Sequence, residues 1–152
     1  MPALLPALAL LFFAVPAAAQ GVRISNLSDV TFNTIANVSV DQVRSQSVCA
    51  FSGLLGGRYR LTASGSGVGN AFTLANGSST LAYEVQWSGT SGQSSGTNLV
   101  SGSPLTGQTM LLSCPVLQTT NSSLIVILRG TALTTATAGD YTGTLTIMLA
   151  AD

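Results

Sequence analysis

Gly92-Gln93-Ser94-Ser95-Gly96 has the G-x-S-x-G spacing that sets a serine nucleophile on a sharp strand-to-helix turn. That chemistry needs a base for the serine proton, and the chain has no His and no Lys. The motif also lies in a Ser/Gly run with no helical pattern behind it, so it reads as a loop. Gly65-Ser66-Gly67-Val68-Gly69 looks like a phosphate cradle, yet no helix follows to offer its N-terminus to an anion. It reads as a flexible turn. The carboxylates are Asp29, Asp41, Glu84, Asp140 and, at the end, Asp152. Two of them brought together could serve as acid and base. Asp29 and Asp140 sit in turn-like surroundings, however, and Glu84 falls on the polar side of a strand pattern. The expectation is a protein that is not an enzyme and holds no metal or cofactor. Asn-x-Ser triplets at Asn26, Asn37, Asn76 and Asn121 are expected by chance in so Ser-rich a chain.

Cys49 and Cys114 are the remaining reactive residues. A metal held by two Cys without His would need carboxylate partners that the pattern does not offer. Their meaning depends on the compartment. Leu4 to Val15 is an apolar stretch of about a dozen residues, short of the roughly twenty that cross a bilayer. It runs into Pro16 and Ala17-Ala18-Ala19-Gln20, a small-residue pattern that suits signal-peptidase cleavage after Ala19. No Arg or Lys precedes the run, which is off pattern and leaves an uncleaved anchor as the alternative. Residues 1–19 are therefore expected to be a signal peptide and 20–152 the mature domain. In an oxidising compartment the two cysteines read as one disulfide, Cys49 to Cys114. Closing so long a loop stabilises by roughly 4 kcal/mol in the chain-entropy model.

The elements that would carry these residues come from a chain of 152 residues, enough for one core. Gly (16), Ser (19) and Thr (18) together make about a third of it, while only 7% is charged and the net charge is zero. Without a basic cluster there is no electrostatic footprint for nucleic acid or anionic lipid. With 46% apolar residues the chain is too hydrophobic for a disordered one.

From residue 21 onward the pattern has period two. Tyr59, Leu61 and Ala63 alternate with Arg58, Arg60 and Thr62. Leu81, Tyr83, Val85 and Trp87 alternate with Ala82, Glu84 and Gln86, which predicts one strand. Tyr141, Leu145, Ile147 and Leu149 alternate with Thr142, Thr144, Thr146 and Met148. Leu124 to Leu128 is apolar throughout, as in a strand covered on both faces. Shorter candidates are Val30–Thr34, Val40–Phe51, Phe72–Leu74 and Met110–Cys114. Gly-rich turns separate them, and Ser88 to Gly102 is expected to be a long mobile hairpin loop rather than a linker. Many short strands with such turns predict an all-β protein, as a sandwich more readily than a barrel. If Leu145–Leu149 is the last strand, the sandwich either has its final edge covered internally or leaves a groove that a strand from another chain can fill.

In order along the chain, Val48-Cys49-Ala50-Phe51-Ser52, Tyr59-Arg60-Leu61-Thr62-Ala63-Ser64-Gly65, Phe72-Thr73-Leu74 and Leu81-Ala82-Tyr83-Glu84-Val85 are followed by Cys114, Leu124–Leu128 and Ala138-Gly139-Asp140-Tyr141-Thr142-Gly143-Thr144-Leu145-Thr146. This set resembles the spore coat protein U domain, found in subunits of archaic chaperone–usher pili of Gram-negative bacteria. The resemblance implies an immunoglobulin-like β-sandwich that lacks its final strand. It implies donor-strand complementation by a periplasmic chaperone, an outer-membrane usher and neighbouring pilus subunits, and a place at the cell surface without stable membrane insertion. Under it, Leu145, Ile147 and Leu149 would form the strand-acceptor edge. Ahead of Leu27–Phe32, which looks like the first domain strand, Gln20 to Asn26 offers only Val22 and Ile24 as anchors for a donor strand. A subunit that accepts a strand but donates poorly would stand at a tip or outside a polymer, and at a tip surface loops bearing Leu54, Leu55 and Trp87 would contact a surface or glycan. Leu54 and Leu55 folded back over the core are the alternative. A free secreted coat or carbohydrate-binding sandwich, stable as a monomer, is the competing function.

Overall fold

Alternation in the sequence becomes alternation across a sheet. A computed structural model describes residues 21–53, 57–110 and 120–152. In chain order its strands are β1 (Val22–Ser25), β2 (Gln42–Ser52), β3 (Arg58–Gly65), β4 (Thr73–Asn76), β5 (Ser79–Ala82), β6 (Glu84–Ser88), β7 (Thr97–Asn98), β8 (Pro104–Thr109), β9 (Ser122–Leu128) and β10 (Leu145–Ala151). One 3-10 turn at Val68–Asn70 and a four-residue helix, α1 (Gly130–Leu133), complete the described elements. Five strands form one sheet in the order β1-β2-β9-β6-β7, and three form a second in the order β10-β3-β8. A separate hairpin pairs β4 with β5, and every ladder is antiparallel. The two sheets share one core. Val48, Ala50, Val85, Trp87, Leu124, Val126 and Leu128 come from the larger sheet, and Tyr59, Leu61 and Ala63 from β3. The chain is an all-β sandwich.

Three sequence expectations are corrected. The first strand is Val22–Ser25, paired with Ser52 to Cys49, and not Leu27–Phe32. Asn26 takes a left-handed φ of 64°, a conformation that Asn tolerates and that ends a strand. Beyond it Val30, Phe32 and Ile35 still pack against the core, from a segment without a ladder, so Val30–Thr34 is no strand either. The run Leu81 to Trp87 is two strands that serve different partners. β5 pairs with β4, β6 pairs with β9, and Tyr83 at the break donates its N–H to Phe72 O at 2.9 Å. Period two passes through that switch unchanged, so hydropathy cannot reveal it. Of the candidate at Met110–Cys114, Met110 is outside any strand and the rest lies outside the described residues.

The third correction concerns Ser88 to Gly102, which is bound down rather than mobile. Every residue of β9 is buried, including Ile125 and Ile127 on the face away from the core. Ser45 of β2 pairs beside Ile125 on that outer face, and the loop closes over it. Gly92 N donates to Ser47 Oγ at 2.9 Å, Gln93 N to Ser123 Oγ at 3.0 Å, and Ser45 Oγ to Gln93 O. Ser123 Oγ in turn donates to Thr90 O at 2.9 Å. Serines on the sheet thus pair with the backbone of an exposed loop and hold it against β2 and β9. Gly96 is required where the loop returns to β7, because a Cβ there would lie 2.4 Å from Trp87 O.

At the end of β9, Arg129 joins three parts of the larger sheet. Its Nη1 donates to Asp41 Oδ2 at 2.6 Å and its Nη2 to Glu84 Oε2 at 2.5 Å, while Asp41 Oδ1 accepts Gly130 N–H at 2.9 Å. Two carboxylates thus do meet, but a guanidinium stands between them. The Gly130 N–H, followed by Arg129, holds the Asp41 carboxyl below its ordinary value of 3.8. A carboxyl whose folded pKa is depressed contributes stability above its unfolded pKa and loses it as pH falls through the folded one. The melting temperature should therefore drop as pH falls below about 4, and D41N should flatten that decline. Because the pair is partly exposed, high salt should shrink the difference between wild type and D41N. Thermal melts at about pH 2 to 6, with and without salt, check both.

Candidate functional site

Strands in the middle of a sheet are hydrogen-bonded on both sides, and edges must be covered or blunted. The edges of this sandwich are treated unequally. β7 is only two residues long. β8 begins at Pro104, carries Gly107 at a φ of 71° and shifts register between Tyr59 and Leu61 of its partner. β10 has no such device. Its seven residues, Leu-Thr-Ile-Met-Leu-Ala-Ala, contain no Pro, Gly or charge, and among the described residues it pairs with β3 alone.

β10 lies beside β1, the edge of the other sheet. Leu145, Ile147 and Leu149 of β10 and Val22 and Ile24 of β1 point at the shared core and pack on it. All five remain only partly buried. On β3, directly across the ladder, the corresponding Leu61 and Ala63 are 0% exposed. The same inward direction gives full burial one strand in and half-burial at this seam. Among the described residues, what is missing between β1 and β10 is cover: a strand's worth of side chains and a strand's worth of hydrogen bonds.

One wall of this seam depends on Asn121. Its side chain extends the β9 ladder past Ser122, with Ala50 N donating to Asn121 Oδ1 at 3.0 Å and Asn121 Nδ2 to Ala50 O at 2.8 Å. Its own N–H reaches Val48 O at 2.9 Å. Ala50 is the residue opposite Ile24, so the amide fixes the stretch of β2 on which β1 is seated. The Asn-x-Ser triplet that begins here is therefore turned into the sheet, with Asn121 only 6% exposed.

Of the other residues singled out from sequence, Trp87 is in β6 and 1% exposed, so it belongs to the core and reaches no ligand. Leu54, Leu55 and Cys114 lie outside the described residues. Cys49 is fully buried, and no described cysteine is free; its pairing with Cys114 stays an expectation of the sequence. Gly92 to Gly96 lies in the loop ahead of β7, and Gly65 to Gly69 runs from the last residue of β3 into a turn; neither has a following α-helix, although Val68 begins a single 3-10 turn. Sequence reasoning missed that this last turn holds Val68 fully exposed. A hydrogen bond from Ser101 Oγ to Asn70 O ties it to the turn carrying Val100, which is 66% exposed. Among the described residues no group of His, Cys, Asp and Glu could hold a metal ion, and no helix is long and apolar enough to cross a membrane.

No family model matches the chain, and no curated protein matches it. Solved structures do, and one of them is a structure from work on a chaperone–tip adhesin complex in CFA/I fimbriae biogenesis. The chain is similar to it with a TM-score of 0.52 and 15% identity, over 86% of this chain and 42% of that one. The likeness is one of fold, and this chain spans less than half the length of the one it matches.

Asn121→Ala would strand the buried N–H and C=O of Ala50 without partners, at a cost of about 3 kcal/mol. Denaturant unfolding should show that loss.

Proposed function

We propose that this protein is an exported structural subunit of a surface pilus or coat that accepts a β-strand in the seam between β1 and β10. One observation carries the reading: the inward residues of β1 and β10 are only partly buried beside a β10 edge that is apolar, long and, among the described residues, unblunted. A strand laid there would take main-chain hydrogen bonds from β10. Its alternate side chains would cover Val22, Ile24, Leu145, Ile147 and Leu149, the mode of recognition called β-strand addition. The fold neighbour from a fimbrial chaperone–adhesin study and the resemblance to the spore coat protein U domain both favour this use of the groove. Under the reading a periplasmic chaperone supplies the strand first, and a neighbouring subunit replaces it at an outer-membrane usher. Export through residues 1–19 and a Cys49–Cys114 disulfide belong to the same reading. Val22–Ser25, the stretch that offered the only anchors for a donor strand, is engaged in β1. A subunit that accepts a strand but donates poorly suits a terminal, adhesive position.

Refolding the mature chain with and without a synthetic peptide of about ten residues, alternating apolar and polar, tests the reading. The peptide should raise the soluble yield, and at about 100 times its Kd it should add ~2.7 kcal/mol of stability. Ile147→Asp should abolish the gain by placing a charge in the seam. A soluble monomer that unfolds cooperatively and ignores the peptide would instead establish a free-standing protein.

A further inference from the structure

The chain has five arginines and no lysine, and three of the arginines are occupied. Arg129 is held by two carboxylates. The guanidinium of Arg23 lies 5.8 Å from the centre of the Phe51 ring, and that of Arg44 lies 5.4 Å from the Phe32 ring while donating to Thr31 O at 3.3 Å. The guanidiniums of Arg58 and Arg60 have no ion pair or hydrogen bond among the described residues, and both residues are exposed. They are two apart on β3, so both project from the outer face of the three-stranded sheet, roughly 7 Å apart along the strand.

The ladder register identifies their surroundings. Thr62 and Ser64 continue the outward row of β3, with Met148 and Thr146 of β10 opposite them and Ala150 opposite Arg60. On the other side Thr109 pairs with Arg58 and Pro104 with Thr62. The face is hydroxyl-lined and carries two unpaired guanidiniums, with Asp152 following the β10 row at the Arg58 end. Met148, 60% exposed, is its one large apolar residue among the described residues. Asp152, the residue after β10, accepts Gly107 N–H at 3.1 Å and pairs with neither arginine.

We propose that this face binds an acidic polysaccharide, with Arg58 and Arg60 taking carboxylates of the sugar chain. The chemistry selects the partner. A guanidinium offers a planar fork that matches a carboxylate, and rows of Thr and Ser hydroxyls match a chain of sugar hydroxyls. A protein partner would want aromatic or large apolar anchors at the centre of the patch, and Met148 alone does not supply them. Two cations are too few for a nucleic acid, whose affinity comes from many phosphate contacts. The site is independent of strand acceptance. A strand added beside β10 lies in the plane of this sheet and leaves its outer face open.

The test is retention of the mature protein, as isolated or with a peptide in its groove, on immobilised polygalacturonate, neutral dextran and polyglutamate. Binding should favour polygalacturonate and fall as salt rises. R58S/R60S should weaken it roughly tenfold, the value of two exposed charge pairs. Both side chains are exposed, so a circular-dichroism melt of the variant should match wild type. R23S, on the other sheet, should bind within about twofold of wild type, and D152N should bind at least as well. Equal retention on dextran, equal retention on polyglutamate, or an R58S/R60S protein that folds and binds like wild type would each overturn the proposal.

Discussion

An edge strand has half of its backbone N–H and C=O groups pointing at nothing, and the structure of this protein turns on how that is handled at β10. Apolar side chains aimed inward are buried only if the next strand is present. At β3 it is present on both sides, and Tyr59, Leu61 and Ala63 vanish from the surface. At β10, among the described residues, it is present on one side, and Leu145, Ile147 and Leu149 do not. The contrast arises within one ladder and one core, so composition does not explain it. It follows from the position of β10 alone.

Elsewhere the chain spends polar residues on closing what could be left open. Arg129, Asp41 and Glu84 lock one end of the larger sheet. Asn121 prolongs β9 with a side-chain amide in place of a missing backbone pair. Ser45, Ser47 and Ser123 hold the Ser88–Gly96 loop over Ile125. β7 is cut short, and β8 is broken by Pro104 and Gly107. Against that background the bare β10 edge is the exception. A protein with few charges has little repulsion to keep such an edge from pairing wrongly.

Period two was legible wherever a strand stays in one sheet. β2, β3, β9 and β10 lie where the alternation puts them, and β9 is buried on both faces as its unbroken apolar run requires. Events decided by single backbone angles or distant partners were not legible. Asn26 ends β1 through its φ, and Tyr83 divides a run that hydropathy shows as continuous. Trp87 next to a Ser-rich loop looked like a surface residue, yet strand parity sends it inward. The candidate groove was half legible. The inward row of β10 could be read, whereas the place of β1 beside it depends on a fold that no local pattern encodes.

Hydrogen exchange at the β10 amides tests the central claim most directly. If the seam accepts a strand, the N–H groups of β10 that point away from β3 exchange freely in the subunit alone. They should become protected when an alternating apolar peptide is bound, while the amides facing β3 are protected in both states. Full protection of β10 in the isolated subunit, or no change on adding the peptide, would contradict it.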